Sequence, residues 1–130
     1  MRSIKSLLRT KSILVAEDEP VTLEIMIKML EFYFGNVRGA LNGQEALRLL
    51  EQESIDVVLT DLTMPVMDGF ELAKEIKAHY PQIPVLTLTA HKEEELIRRA
   101  KESGIREILH KPYSTPAFLQ VMEKFFGKEI

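Results

Sequence analysis

Short apolar runs alternate with amphipathic segments of helical period five times along this chain, and that alternation limits the fold more than any single residue does. The strands so marked are ILVA at 13–16, a short second at 37–40, the stretch beginning at Ile55 that ends on Asp61, PVLTLT at 84–89, and a fifth at 105–109 that leads to Lys111. Unbroken apolar strands bury both faces, and a strand followed by a helix reaches the next strand through a right-handed crossover. The alternation predicts an α/β fold: a doubly wound, five-stranded parallel sheet with five helices on its two faces.

The intervening segments fit that scheme. The spacing predicts a helix over 21–34, with Leu23, Ile27, Leu30 and Phe34 on one stripe, Glu24, Lys28 and Glu31 toward water, and Gly35 ending it. Asn42 and Glu45 make a capping-box-like start for a helix over 43–53. A third helix over 69–79 buries Phe70, Leu72, Ala73 and Ile76 and stops before Pro81. The fourth, over 92–103, is charged and carries only Leu96, Ile97 and Ala100 as apolar anchors, so it can shift at modest cost. Ser114 or Thr115 with Pro116 opens the last, which runs to Phe126.

At 130 residues the chain is expected to form one folded unit over 12–130, with no internal repeat. Residues 1–11 are basic and read as a tail or a short extra helix. A solvated arm is the simpler expectation for them, with membrane or partner binding through Ile4, Leu7 and Leu8 as the alternative. The absence of cysteine excludes a disulfide scaffold, a thiolate zinc site and a cysteine nucleophile, and suits the cytoplasm. A formal net charge of -3 offers no basic surface for nucleic acid. No apolar run approaches the roughly 20 residues that a membrane-spanning helix needs.

In a parallel sheet the carboxyl ends of all strands share one edge, where such folds keep their chemistry. Glu17 and Asp18 follow the first strand, Asp61 the third, Thr89 ends the fourth and Lys111 follows the fifth. Taken singly, these are a turn-capping acid, a strand threonine and a surface lysine. Taken together they are three acids, a hydroxyl and an ammonium converging on one crevice. Carboxylates without nitrogen or sulfur ligands select a hard cation, and an open site that keeps water suits Mg²⁺ better than a calcium cage. Such a metal would clamp phosphoryl oxygens, Asp61 would be the nucleophile, and Thr89 and Lys111 would hold the remaining oxygens.

The pieces ILVAEDEP, DLTMPVMDG, LTA at 88–90 and KP at 111–112 stand in an order and at a spacing similar to those of the receiver (response-regulator) domain of bacterial two-component signalling, of the chemotaxis-receiver kind. The resemblance covers about 12–126. It implies a flavodoxin-like strand order, 2-1-3-4-5, and an Asp61 that accepts a phosphoryl group from the phosphohistidine of a histidine kinase or phosphotransfer protein. It further implies Mg²⁺, or Mn²⁺ in its place, on Asp18, Asp61 and the carbonyl of Thr63, with Glu17 acting through water. A cis peptide before Pro112 and water-gating, rate-tuning roles for Thr63 and His91 complete the set. Such a domain catalyses only its own phosphorylation and dephosphorylation and then changes its affinity for a downstream protein, with no direct role for nucleic acid or membrane.

Two positions depart from the family. Ile108 stands where receivers usually carry the Tyr or Phe that swings inward as the threonine closes on the phosphate, and a branched aliphatic side chain is no such gate. The output is then expected to depend on movement of the 92–103 helix. Ile105 and Arg106 depart from the winged-helix transcription-factor subfamily, so the dimer which that subfamily builds on its fourth helix, fifth strand and fifth helix is not expected. His79 and His110 have no metal-ligand spacing to His91, and His110 reads as a partly buried strand residue.

Three rival readings share parts of this pattern. A haloacid-dehalogenase-type phosphatase carries its nucleophile in a DxD motif after the first strand, whereas Asp61 follows the third and Thr63 replaces the second Asp. A flavodoxin-like flavin-binding module needs a phosphate loop after the first strand, where this chain has acids. A pseudo-receiver scaffold would lack acceptor-site residues that are all present here. Both a stand-alone receiver and a piece of a larger regulator or hybrid kinase fit the sequence.

Overall fold

The structure, a computed structural model, describes residues 3–111 and 114–130. In chain order the elements are α1 (Ile4–Leu8), β1 (Ser12–Ala16), α2 (Pro20–Leu30), β2 (Asn36–Ala40), α3 (Gly43–Gln52), β3 (Val57–Thr60), α4 (Gly69–His79), β4 (Val85–Thr89), α5 (Glu94–Glu102), β5 (Glu107–His110), α6 (Thr115–Phe126) and a 3₁₀ turn (Gly127–Glu129). All strand pairs are parallel, in the order β2-β1-β3-β4-β5. This is the doubly wound sheet that the alternation predicts, with β3 at its centre.

Side-chain alternation divides the sheet between two cores. Ile13, Val15, Val57, Leu59, Leu86 and Leu88 face the core shared with α1, α2 and α6. Leu14, Val58 and Val85 face the other, with Phe70, Leu72 and Ile76 of α4 and Ala100 of α5. Every residue of β3 and β4 is buried, which is why these strands contain no outward polar alternation except threonine. The Thr87 hydroxyl is satisfied by the Thr60 carbonyl at 2.6 Å.

Six α-helices stand among the described residues: the five that follow the strands and, at the N-terminus, the short extra helix that was the alternative to a tail. Ser3 caps α1 by accepting the Ser6 N–H at 3.1 Å. Leu7 and Leu8 are 0% exposed and belong to the core that holds Phe34, Phe118 and Phe126. The expected solvated arm is therefore corrected, because its three apolar side chains find apolar partners and only Lys5, Arg9 and the polar residues stay in water.

Gly35 is corrected with it. It does not adopt the left-handed φ of a helix stop; Gly104 is the glycine that does, among the described residues. Instead the Gly35 N–H is shared between the Leu8 and Lys11 carbonyls at 3.2 and 3.1 Å, and a Cβ at this position would overlap the Arg9 carbonyl. The helix itself stops at Leu30, short of residue 34. Arg9 Nη1 donates to the Glu31 and Phe32 carbonyls at 3.1 and 3.3 Å, placing a cation at the helix end where orphan acceptors and the dipole favour one.

At the end of α5, Gly104 has φ +107°. Its N–H reaches the Lys101 carbonyl at 3.2 Å, and the Ile105 N–H reaches the Ala100 carbonyl at 3.2 Å. That is a Schellman closure, and it takes Ile105 into the helix end, so β5 begins at Glu107 rather than at residue 105. Leu7→Ala is expected to lower the unfolding free energy by about 2–5 kcal/mol in urea titrations, the cost of a core cavity. A segment that merely lay in solvent would show no change.

Candidate functional site

The parallel register brings the candidate side chains to one edge. Ala16 of β1 is level with Thr60 of β3, and Thr60 with Thr87 of β4, so Glu17 and Asp61 leave neighbouring strands at the same height. The backbone locks this level: Asp61 N–H donates to the Ala16 carbonyl and Glu17 N–H to the Ala40 carbonyl, each at 3.0 Å. Thr89 is opposite His110, and the Lys111 N–H donates to the Thr89 carbonyl at 2.8 Å, which carries the lysine to the same edge.

Carboxylate oxygens of Glu17, Asp18 and Asp61 all lie within 4.8 Å of one another. Glu17 is buried, Asp61 half-buried and Asp18 exposed, so the cluster is open on one side. Glu19, the third of the consecutive acids, is turned away. Its carboxylate caps α2, accepting the Val21 N–H at 3.1 and 3.2 Å and the Thr22 N–H at 3.1 Å. The Glu19 N–H in turn holds Glu17 Oε2 at 3.0 Å, so the capping residue also steadies its neighbour.

Asp61 Oδ1 accepts the Leu62 N–H at 2.8 Å. The loop beyond it is tied at three points: Gly69 N–H to the Leu62 carbonyl at 3.0 Å, Gly43 N–H to the Met67 carbonyl at 3.1 Å, and Met67 N–H to the Pro65 carbonyl at 2.8 Å. A Cβ on Gly69 would overlap the Asp61 carbonyl, so only glycine lets α4 start this close to the acid. The last of the ties encloses Val66 at φ +70°, a γ-turn conformation that costs a β-branched residue about 1–2 kcal/mol. Asp68 and Glu71 then close a capping box at the start of α4. The glycines' packing role is not legible in the motif; its only trace is a glycine immediately after a capping aspartate.

Thr89 is buried, and its Oγ1 accepts the His91 N–H at 3.0 Å. His91 is exposed, with Nδ1 3.4 Å from the Glu93 carboxylate. Thr63 is exposed in the loop after Asp61, and Lys111 is exposed at the edge of the site. Ile108 is half-buried against the α4 and α5 core, level with Thr87 rather than with Thr89. Pro112 lies outside the described residues. His110 is half-buried, and its Nδ1 is the buried side-chain polar atom without a hydrogen-bond partner among the described residues.

The electrostatics follow from crowding. Burial pushes the Asp61 carboxyl above its ordinary value and the Asp18 charge adds to this, against the opposing pull of the Leu62 N–H, Lys111 and His91. Burial also pushes Glu17 up, with Asp18 and Asp61 contributing and the Glu19 N–H opposing. The donor set is all oxygen, and none of the three carboxylates forms an ion pair among the described residues, which fits a hard divalent cation.

Each raised carboxyl binds its proton more tightly in the folded state. The resulting stabilisation is full below the unfolded carboxyl value and is lost as pH rises through the folded one. Asp61→Asn, which removes one of the three charges while keeping an oxygen for Leu62, is therefore expected to melt above the wild type at neutral pH in chelator. The gap should close as pH falls into the ordinary carboxylate range, as thermal melts over that range will read.

Residues 13–123 match the model of the response regulator receiver domain. An uncharacterized 14.6 kDa protein of Leptolyngbya boryana is 35% identical over 116 residues, covering 87% of this chain and 88% of that one. A cyclic di-GMP phosphodiesterase of Thermotoga maritima is 35% identical over 101 residues, which is 78% of this chain but only 27% of the relative, so the named activity belongs to that protein. Among solved structures, the receiver domain of the sensor histidine kinase PA1611 from Pseudomonas aeruginosa, with a magnesium ion coordinated in its active site cleft, superposes with a TM-score of 0.79 at 27% identity, covering 91% of this chain and 98% of that one. With sheet order, acidic edge and sequence match in agreement, the chain belongs to the response regulator receiver domain family.

Proposed function

We propose that this chain is a phosphoacceptor switch in which Asp61 takes a phosphoryl group from a phosphohistidine of a histidine kinase or phosphotransfer protein. The observation that carries the reading is the meeting of Glu17, Asp18 and Asp61 at the ends of β1 and β3. Asp18, Asp61 and the Thr63 carbonyl would hold Mg²⁺, or Mn²⁺, with Glu17 acting through water. A divalent ion bound there supplies charge neutralisation for the acids and for the phosphoryl oxygens.

Asp61 Oδ1 is engaged by Leu62, which leaves Oδ2 as the attacking oxygen. The new P–O bond forms as the P–N bond to the donor imidazole breaks, and the imidazole leaves with a proton from solvent. Little covalent work falls to the protein beyond positioning and charge. Lys111 offers its ammonium to one phosphoryl oxygen. The Thr89 hydroxyl, which accepts from His91, still has its own proton to donate to another. Thr63 and His91 flank the position and tune loss of the phosphoryl group by admitting or excluding water.

The signal then leaves through α5. This helix buries only Ala100, and its N-cap Glu93 makes no side-chain capping bond, so it is the most weakly held helix beside the site. Ile108 has no aromatic ring with which to share the task. Amide exchange is expected to change across residues 90–103 on phosphorylation, and an unchanged profile there would remove α5 from the mechanism.

Acetyl phosphate with Mg²⁺ should give a retarded band on a phosphate-affinity gel. The band should be lost in Asp61→Asn and on chelation. A band that persists in Asp61→Asn would place the acceptor elsewhere.

A further inference from the structure

The outer face of α2 carries an apolar strip that nothing in the chain covers. Val21 is 63% exposed, Ile25 53%, Met29 51% and Phe32 81%. Val21, Ile25 and Met29, four residues apart, lie on one side of α2, opposite the buried Leu23 and Leu30, and Phe32 extends the strip in the turn that follows the helix. Such a strip of several large side chains is at the upper end of what a monomer's surface leaves in water. Along one flank of it run Glu24 and Lys28, paired with each other at 3.3 Å and both largely exposed. At the Phe32 end, a groove of about 330 Å³ opens between α2 and α6, lined by Met29, Leu30, Phe32, Tyr33, Thr115 and Phe118.

We propose that a second copy of this chain covers the strip, through a two-fold, antiparallel pairing of α2 on α2. The order of side chains along the face is self-complementary under that operation. A two-fold axis at the level of residues 26 and 27 brings Val21 level with the partner's Phe32, and puts Ile25 with the partner's Met29 and Glu24 with the partner's Lys28 within one residue of level. An antiparallel two-fold also brings like flanks together, so the Glu24 and Lys28 flank of one copy faces the same flank of the other. A parallel two-fold would set those charges against the opposite flank, at the uncharged Thr22. Charge thus selects the orientation, as it does at isologous interfaces generally.

The groove lies where the partner's Val21 arrives, and gives an apolar side chain room beside Phe32 and Tyr33. Four side chains and a short rim fall short of the standard interface of about 800 Å² per partner, so the dimer is weak and concentration-dependent. Phosphorylation of Asp61 is not required for it.

Sedimentation velocity from low-micromolar to near-millimolar protein tests the proposal, with far-ultraviolet circular dichroism confirming that each variant is folded. The wild type is expected to pass from monomer to dimer, and Ile25→Glu to remain monomeric throughout. Glu24→Lys and Lys28→Glu should each weaken association several-fold by opposing like charges, and the two together should restore it. A wild type that stays monomeric to the highest concentration, or an association that survives Ile25→Glu, would overturn the proposal. Failure of the double reversal to recover would overturn the antiparallel register.

Discussion

Repulsion among three carboxylates at the ends of β1 and β3 is the constraint around which the rest of the structure is arranged. No apolar core favours such a cluster, so it must be held by something other than its own attraction. The holding is done by the sheet, whose Asp61 and Glu17 N–H groups are committed to the carbonyls of Ala16 and Ala40. Because those bonds belong to the parallel ladder, the acids cannot separate without fraying two strands. Their mutual strain is thereby converted into affinity for positive charge, from Lys111 and from any cation that enters.

Around this edge, backbone conformation carries tasks that side chains usually perform. Gly69 lets α4 begin against the Asp61 carbonyl, and Gly43 lets α3 receive the loop at Met67. Val66 accepts a costly φ so that the loop can turn tightly enough to meet both. Backbone strain that its surroundings hold in place is a recurrent mark of functional sites. The contrast with α5 is one of anchoring: the loop after β3 is tied at three points, whereas the segment after β4 leads into a helix with a single buried residue.

The sheet and its acidic edge were legible because the first, third, fourth and fifth strands lead to Glu17, Asp61, Thr89 and Lys111. Parallel strands put Asp61, Thr89 and Lys111 on one edge whatever the strand order. What was not legible depended on tertiary partners. Glu17, Asp18 and Glu19 are chemically alike in sequence, and only the fold sends Glu19 back to cap α2. The triplet Ile4, Leu7 and Leu8 is too short to declare whether it meets a core or water. Gly35 carried a helix-stop signature but serves close approach to Arg9. The helix after β1 is apolar on both faces, so its inner stripe was visible and its outer strip, from Val21 to Phe32, was hidden beside it.

The N-terminal helix separates two notions of a domain that usually coincide. The span that marks this chain as a receiver by descent runs over residues 13–123. The span that closes its core is wider, since Leu7 and Leu8 before it and Phe126 after it are all buried together. Kinship is therefore carried by the part of the chain that holds the sheet and its acidic edge, whereas autonomy as a folding unit is carried partly by flanks that kinship does not mark.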